Sequence, residues 1–311
     1  MFLSVGSGSS DSVVAKFFAA LLIVFNPTAG RRRTHLLWRV LDIAVASGVR
    51  IELAETTRPR HAEALARSAA ERGVDIVVAA GGDGTVAEVA TGLMGSDAKL
   101  GIIPLGSANV LARELSLPFT PHAVAAALAF GRTRPLWPGL ATGADGTRLF
   151  VQMLGVGFDA QVVHRMSLPL KRVIGRSAYV LQTMRELTRY EFPPIRLRID
   201  GAECVAASVV VSKGRLYGGS YQLAPEARPD QPGFTVVLFE RPGPRHALAY
   251  GAALPLNLLP RIGGIRRLHA SRIEVVGNEN VPAQVDGDAA GFSPLVVTDA
   301  ASPIAVVVER G

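Results

Sequence analysis

The chain has 311 residues, enough for two domains with separate cores, and 49% hydrophobic against 19% charged residues excludes global disorder. One cysteine, Cys204, excludes a disulfide framework and a multi-cysteine metal site, and suits a reducing cytoplasm. The formal charge of +7 points to anionic partners; nucleotides and acidic lipids rank ahead of nucleic acid, because the arginines are scattered rather than interleaved with aromatics.

Residues 1–19 open with small polar residues (VGSGSSDS) and are expected to form a disordered leader. Phe17–Phe25 is apolar, but about nine residues are too few to cross a bilayer, and neither a basic region nor a small-residue cleavage site flanks them. Ala20–Phe25 is therefore the first strand. It runs into Asn26-Pro27-Thr28-Ala29-Gly30, a tight loop, and then Arg31-Arg32-Arg33. A helix follows over Thr34–Ser47, stopped by Gly48. Val49–Ala54 is the second strand. Thr56-Thr57-Arg58-Pro59 reads as a helix start with a Thr cap and an early proline, and the helix closes at Gly73.

Val74–Ala80 is the third strand, and it meets Gly81-Gly82-Asp83-Gly84-Thr85. Apolar helical spacing resumes at Val86, Val89, Ala90 and Leu93. A strand, a glycine turn and a helix start expose backbone amides at a positive helix N-terminus, where a phosphate is favoured. Asp83 and Thr85 inside that turn suggest a magnesium-bound nucleotide or proton chemistry rather than a plain turn. Leu100–Pro104 is a fourth strand, followed by Leu105-Gly106-Ser107-Ala108-Asn109 and a helix to about Leu117. Strands alternating with helices imply right-handed βαβ units on a parallel sheet. The Asn26, Thr56, Asp83 and Ser107 loops then share the carboxyl rim where such sheets bind ligands.

The texture changes near residue 137. Leu149–Leu154, Ile195–Ile199, Val205–Val211, Phe234–Phe239, Ile273–Val276, Ala283–Val285 and Ile304–Val308 read as short strands, with helices only at Leu168–Arg189 and Pro244–Leu259. The expected layout is an α/β nucleotide-binding domain over 20–137 and a mainly antiparallel β-sandwich over 138–311. Within the second half, Gly155-Val156-Gly157-Phe158-Asp159-Ala160 reads equally as a bulge or as a polar contact through Asp159. Tyr217-Gly218-Gly219 shapes a loop. Val285-Asp286-Gly287-Asp288 alone reads as a hairpin; if it faces the cleft, Asp288 can take a proton from a hydroxyl. Lys171, Arg172, Arg176, Arg185 and Arg189 make one helical segment basic, either a solvated face or, with Leu254–Leu259, a dock for an anionic membrane. The six histidines show no metal-ligand spacing.

Taken in order, the Asn-Pro-Thr-Ala-Gly loop, Gly-Gly-Asp-Gly-Thr and Pro104-Leu105-Gly106-Ser107-Ala108-Asn109 resemble the diacylglycerol kinase catalytic-domain family, which includes bacterial soluble lipid kinases and sphingosine kinases. The likeness continues through Gly157–Ala160, Lys171–Tyr179, Tyr217-Gly218-Gly219 and Asp286-Gly287-Asp288. The glycine-aspartate motif is shared with NAD kinases; the Ser107 loop and the Asp288 position point to the lipid branch. The resemblance implies a Rossmann-like, NAD-kinase-like α/β domain plus a β-sandwich, with ATP between them and Mg2+ bridging its phosphates. Nucleotide contacts map to Asn26, Thr56, Gly82, Asp83, Gly84, Thr85, Glu88 and Ser107, within motifs that also contain Gly81, Gly106 and Asn109. Arg31 stands where some members have lysine. Asp83 organises magnesium and phosphates, and Asp288 replaces a glutamate assigned as the base, with a reach shorter by one methylene.

Three positions depart from the pattern. Val110 follows Asn109 where aspartate is usual, Pro138-Gly139 replaces Asp-x-Gly, and Asp230-Gln231-Pro232-Gly233 replaces the Asp-Asp-Gly turn that holds a structural magnesium in bacterial lipid kinases. The expected activity is ATP-dependent phosphorylation of a lipid hydroxyl, diacylglycerol first. A sphingoid base or ceramide is the alternative acceptor, NAD is third, and a catalytically weakened lipid-binding protein is the reading from another class. The expected setting is cytoplasmic, at an anionic membrane surface, with a second copy of the chain as a further candidate partner.

Overall fold

The computed structural model describes residues 20–29, 33–166, 177–277 and 280–310. The expected leader, Arg31, and Lys171, Arg172 and Arg176 lie outside the described residues. The first part of the chain runs β1 (Ala20–Phe25), α1 (Thr34–Ala46), β2 (Arg50–Glu55), α2 (His61–Glu71), β3 (Ile76–Gly81), α3 (Asp83–Leu93) and β4 (Lys99–Pro104). Two further helices, α4 (Val110–Glu114) and α5 (Pro121–Phe130), lead to β5 (Arg132–Leu136).

The second part begins with β6 (Gly139–Gly143), β7 (Gly146–Phe150), β8 (Met153–Gly157) and α6 (Phe158–His164). It continues through α7 (Ser177–Glu186), β9 (Ile195–Ile199), β10 (Ala202–Ala206), β11 (Ser208–Ser212), β12 (Leu216–Tyr217) and β13 (Tyr221–Gln222). The remaining elements are β14 (Phe234–Phe239), α8 (Pro244–Ala253), β15 (Ile265–Ala270), β16 (Arg272–Val276), β17 (Pro282–Val285), β18 (Asp288–Phe292), β19 (Leu295–Asp299) and β20 (Ile304–Val308).

One sheet has the order β2-β1-β3-β4-β20-β5, parallel except at the β20–β5 pair. Its central strand β3 is buried along its whole length, as its continuous apolar sequence requires when helices cover both faces. Leu37 and Val40 of α1 and Val124 and Leu128 of α5 pack one face; Ala62 and Ala66 of α2 and Val86 and Val89 of α3 pack the other. Burying each Val or Leu contributes roughly 1.5–3 kcal/mol, so this doubly covered sheet is the rigid base from which the loops project.

The second half forms two antiparallel sheets, β10-β9-β16-β19-β6-β7 and β15-β14-β11-β8-β17-β18. Alternation shows in β9, where Ile195, Leu197 and Ile199 point inward and the arginines between them face solvent. Strands β11 and β14 are apolar on both faces because α8 and the turns after it cover their outer side, with Tyr250, Ala253 and Leu259 against Val210 and Val237. The fold is an α/β domain with a mostly parallel sheet plus a β-sandwich.

Several elements differ from the sequence reading. The helix expected from Thr56 begins at His61, because Arg60 adopts a left-handed conformation (φ 61°) and the Thr57 N–H donates to His61 Nδ1 at 3.1 Å. The run read as one strand at 205–211 breaks at Ala207 into β10 and β11, which lie in different sheets. Helices α5 and α6 and strands β5, β6, β15, β18 and β19 were absent from that reading. Helix α5 is Ala-rich and apolar all round, so it carries little amphipathic signal. Strand β20, expected among the second-half strands, returns to the first sheet between β4 and β5.

Helices α2 and α3 touch at Gly92, where a methyl group would meet the Glu63 carbonyl oxygen and lie 2.8 Å from Ala66 Cβ and 3.0 Å from Arg67 N. Backbone cannot yield as a side chain can. Gly92→Ala should therefore destabilise the protein by about 1–3 kcal/mol, although alanine is the better helix former by about 1 kcal/mol. Urea unfolding midpoints decide it: an unchanged or raised midpoint would mean the helices are not in contact there.

Candidate active site

The first wall of the site is the turn after β3. Helix α3 begins at Asp83 with Gly82 as its extended N-cap, so the amides of its first turn have no acceptor within the helix. Glycine is required at two points for lack of space. A methyl on Gly81 would collide with the Thr85 side chain, and one on Gly106 would lie 2.6 Å from Gly82 Cα and 2.7 Å from Asn109 Oδ1. The turns after β3 and β4 thus meet backbone to backbone, and Leu105 and Gly106 both donate to the Gly81 carbonyl at 2.9 and 3.1 Å.

Asn109, buried and left-handed (φ 49°), donates from Nδ2 to the Gly106 carbonyl at 2.7 Å and closes that loop. Asn26 Nδ2 donates to Thr85 Oγ1 at 3.0 Å, while Asn26 Oδ1 accepts the Thr28 N–H at 3.0 Å. The Thr56 N–H donates to the Phe25 carbonyl at 2.8 Å. Asn26, Thr56, Gly81, Gly82, Asp83, Gly84, Thr85, Gly106, Ser107 and Asn109 therefore share one rim, with Ser107 exposed. Arg31 belongs to the undescribed residues.

Two expected contacts are already engaged within the protein. Glu88 lies one turn along α3 and accepts the Arg60 and Ala62 N–H groups at 3.0 and 3.1 Å, capping α2. Asp83 Oδ1 accepts the Val110 N–H at 2.6 Å and the Leu111 N–H at 3.4 Å, capping α4. Burial raises the Asp83 carboxyl above the usual carboxylate range, against the pull of those amides. Val110, where the family pattern has aspartate, contributes its backbone to this bond.

The opposite wall is the β17–β18 hairpin. Val285 pairs with Asp288, and the two loop residues Asp286 (φ 48°) and Gly287 (φ 88°) are both left-handed, as a tight two-residue connection needs. Asp286 turns back and accepts three amides, from Val151 at 2.7 Å and from Gln152 and Met153 at 2.9 Å. Burial pushes Asp286 up to about 7, and the neighbouring charge of Asp83 adds to that rise while the amides oppose it. The turn is held from its other side as well. Gly287 N–H donates to Gln284 Oε1 at 2.8 Å, Gln284 Nε2 donates to Asp159 Oδ2 at 2.9 Å, and the Tyr217 hydroxyl donates to Asp159 Oδ1. Burial raises the carboxyl of Asp159 and, together with the Asp159 charge, the hydroxyl of Tyr217.

These clamps aim Asp288 at the first wall. It is exposed, and its Oδ2 lies 3.1 Å from where a Cβ on Gly84 would be. The Val285–Asp288 run is a hairpin, and its last residue lies beside Gly84 of the first wall. Asp159 is a network centre at a strand-to-helix turn rather than a bulge residue. Gln284 and Glu114 were not singled out from sequence. Glu114 on α4 accepts the Arg215 Nε–H at 2.8 Å and the Leu216 N–H at 2.9 Å, tying the first domain to β12. Gln284 carried one faint signal, its place two residues before an Asp-Gly turn. Among the described residues no three His, Cys, Asp or Glu side chains form a metal cage, and no helix is long and apolar enough to cross a membrane.

Comparison with known proteins agrees with this arrangement. Residues 20–140 match the diacylglycerol kinase catalytic domain, and residues 152–309 match the YegS C-terminal NAD kinase beta sandwich-like domain. A Chromohalobacter salexigens protein named a probable YegS-like lipid kinase is 35% identical over 72% of this chain and 73% of its own. The Bacillus subtilis diacylglycerol kinase is 28% identical over 88% of this chain and 90% of its own. A Bacillus anthracis crystal structure named as a candidate diacylglycerol kinase is 22% identical, covers 99% of both chains and superposes with a TM-score of 0.77, a likeness of fold. The chain belongs to the lipid kinase family built from a diacylglycerol kinase catalytic domain and a YegS-type β-sandwich.

Proposed function

We propose that this protein transfers the γ-phosphoryl group of ATP to the primary hydroxyl of diacylglycerol or a closely related lipid. The observation that carries the reading is the approach of Asp288 to Gly84, which sets an exposed carboxylate of one domain against the phosphate-type turn of the other. ATP, carried with Mg2+, supplies the transferable phosphoryl group and its charge neutralisation. The first-turn amides of α3 receive phosphate oxygens, and the absence of side chains at Gly81, Gly82 and Gly84 lets them come close. Asp83 lies at that turn as the carboxylate nearest the phosphates. Its tie to Val110 fixes its orientation, and it would be the residue that holds a metal carried with the phosphates. Asp288 removes the proton of the acceptor hydroxyl, and the catalytic gain comes from positioning and electrostatics rather than from a covalent intermediate.

The acceptor side supports a lipid. Helix α7 exposes Val180, Leu181 and Met184, flanked by Arg185 and by Arg189 just beyond its end, and Tyr179 on the same helix approaches Gly287. An apolar face edged with arginines beside the acceptor wall suits docking on an anionic membrane surface. A second copy of the chain remains a candidate partner on the same exposed apolar surface.

Labelled phosphate transfer from ATP to diacylglycerol, a sphingoid base, ceramide and NAD should favour diacylglycerol. Transfer to none of them by a protein that still binds ATP would establish the weakened lipid-binding alternative instead.

Asp288→Asn should lower kcat by about 10²–10⁴-fold with ATP affinity kept, since only the proton acceptor is lost. Asp83→Asn retains an acceptor for Val110, so it should abolish turnover while circular dichroism and the unfolding midpoint stay near wild type. Full turnover in either variant would move the site elsewhere.

Gln284→Leu removes the link between Asp159 and the Gly287 amide and loosens the turn that carries Asp288. The expected loss is about 10–100-fold in kcat with little change in KM for ATP. A loss in KM alone would assign Gln284 to nucleotide binding.

A further inference from the structure

Lys213 is fully buried at the end of β11, a position where an unpaired charge is prohibitive. Its ammonium has three donors, and the structure gives each an acceptor: the Gln231 carbonyl at 3.0 Å, the Gly233 carbonyl at 2.8 Å and Asp299 Oδ1 at 2.8 Å. The Phe234 ring lies under the same nitrogen, 4.7 Å from it. Asp299 completes the cage by accepting the Gly233 N–H through its other oxygen at 2.6 Å. Two inward carbonyls and a carboxylate around a positive centre are an oxygen cage of the kind that hard cations take.

The turn that supplies the two carbonyls is Asp230-Gln231-Pro232-Gly233, which replaces the family's magnesium-holding Asp-Asp-Gly turn. A magnesium ion does not fit here. The oxygens stand 2.8–3.0 Å from Nζ rather than the roughly 2.0–2.1 Å a magnesium ion needs, and the ammonium fills their centre. The same turn braces the passage between the two domains. Pro229 accepts the Trp137 N–H at 2.8 Å, Ala300 accepts the Trp137 indole N–H at 3.0 Å, and the Ala300 N–H donates to Pro138 at 3.0 Å.

We infer that Lys213 is a built-in cation that takes the place of a structural divalent metal, closing the 229–233 turn and bracing the domain junction without any ion. The inference is independent of the acceptor and of turnover. It makes the fold indifferent to divalent metal at this point and dependent on the Lys213–Asp299 pair.

Thermal unfolding of the full chain without nucleotide tests it. The wild-type midpoint should be the same in EDTA and in millimolar Mg2+. Lys213→Met and Asp299→Asn should each lower the midpoint, the first by about 10 °C, because the first leaves the part-buried Asp299 carboxylate and the second the buried ammonium without its charged partner. The double variant Lys213→Met/Asp299→Asn should lose clearly less than the sum of the two, since neither orphan then remains. Two outcomes would overturn the inference: a rise of the wild-type midpoint in Mg2+ that Asp299→Asn abolishes, or additive losses in the double variant. The wild-type comparison stands even if Lys213→Met fails to fold.

Discussion

The reach of Asp288 across the cleft depends on the clamp between Asp286 and the amides of Val151, Gln152 and Met153. A buried carboxylate is costly, and three charge-assisted bonds from consecutive residues are what make this one tolerable. Those residues connect β7 to β8, so the clamp fixes the hairpin tip against the rigid middle of the sandwich. With Asp286 and Gly287 both left-handed, the next side chain is aimed at the glycine turn. The first wall uses the same device. Asp83 grips the start of α4, and Glu114 at the end of α4 grips Arg215 and Leu216 in the other domain. The two walls are thus joined through α4 as well as facing each other.

The chain reinforces this by passing between the domains at adjacent points. It leaves the first sheet after β5, and it returns from β19 to place β20 between β4 and β5. Outgoing and returning segments are bonded through Trp137, Pro138 and Ala300. Two neighbouring, bonded crossings resist rocking better than a single linker, which suits a site whose halves come from different sheets.

Much of this was legible in the sequence because local chemistry carried it. The first four strands, the glycine turn and the Ser107 loop have strong signals: apolar runs, glycines where no Cβ fits, and polar residues at strand ends. The Asp-Gly dipeptide signalled a hairpin, and β17 and β18 form one there. What was not legible depends on distant partners. Nothing local tells that Glu88 caps α2 or that Gln284 holds the Gly287 amide, because those bonds join residues far apart or on opposite edges of a turn. Helix α5 was missed for lack of an amphipathic period, and the helix expected at Thr56 was displaced because Arg60 leaves the helical region. The return of β20 is decided by which sheet has a vacant edge, which a single strand's sequence does not record.

The carboxylates near the cleft differ in how they are held. Asp83, Glu88, Asp286 and Glu114 each accept backbone amides, and Asp159 accepts one bond on each oxygen, from Tyr217 and Gln284. At Asp83 and Asp286 burial outweighs the pull of the amides, and the carboxyls of both, like that of Asp159, stand above the usual carboxylate range. Asp288 is exposed at the tip of a turn that those buried groups hold still. The division is physical: carboxylates tied to the protein build the geometry, and Asp288 is carried by that geometry to the edge of the glycine turn.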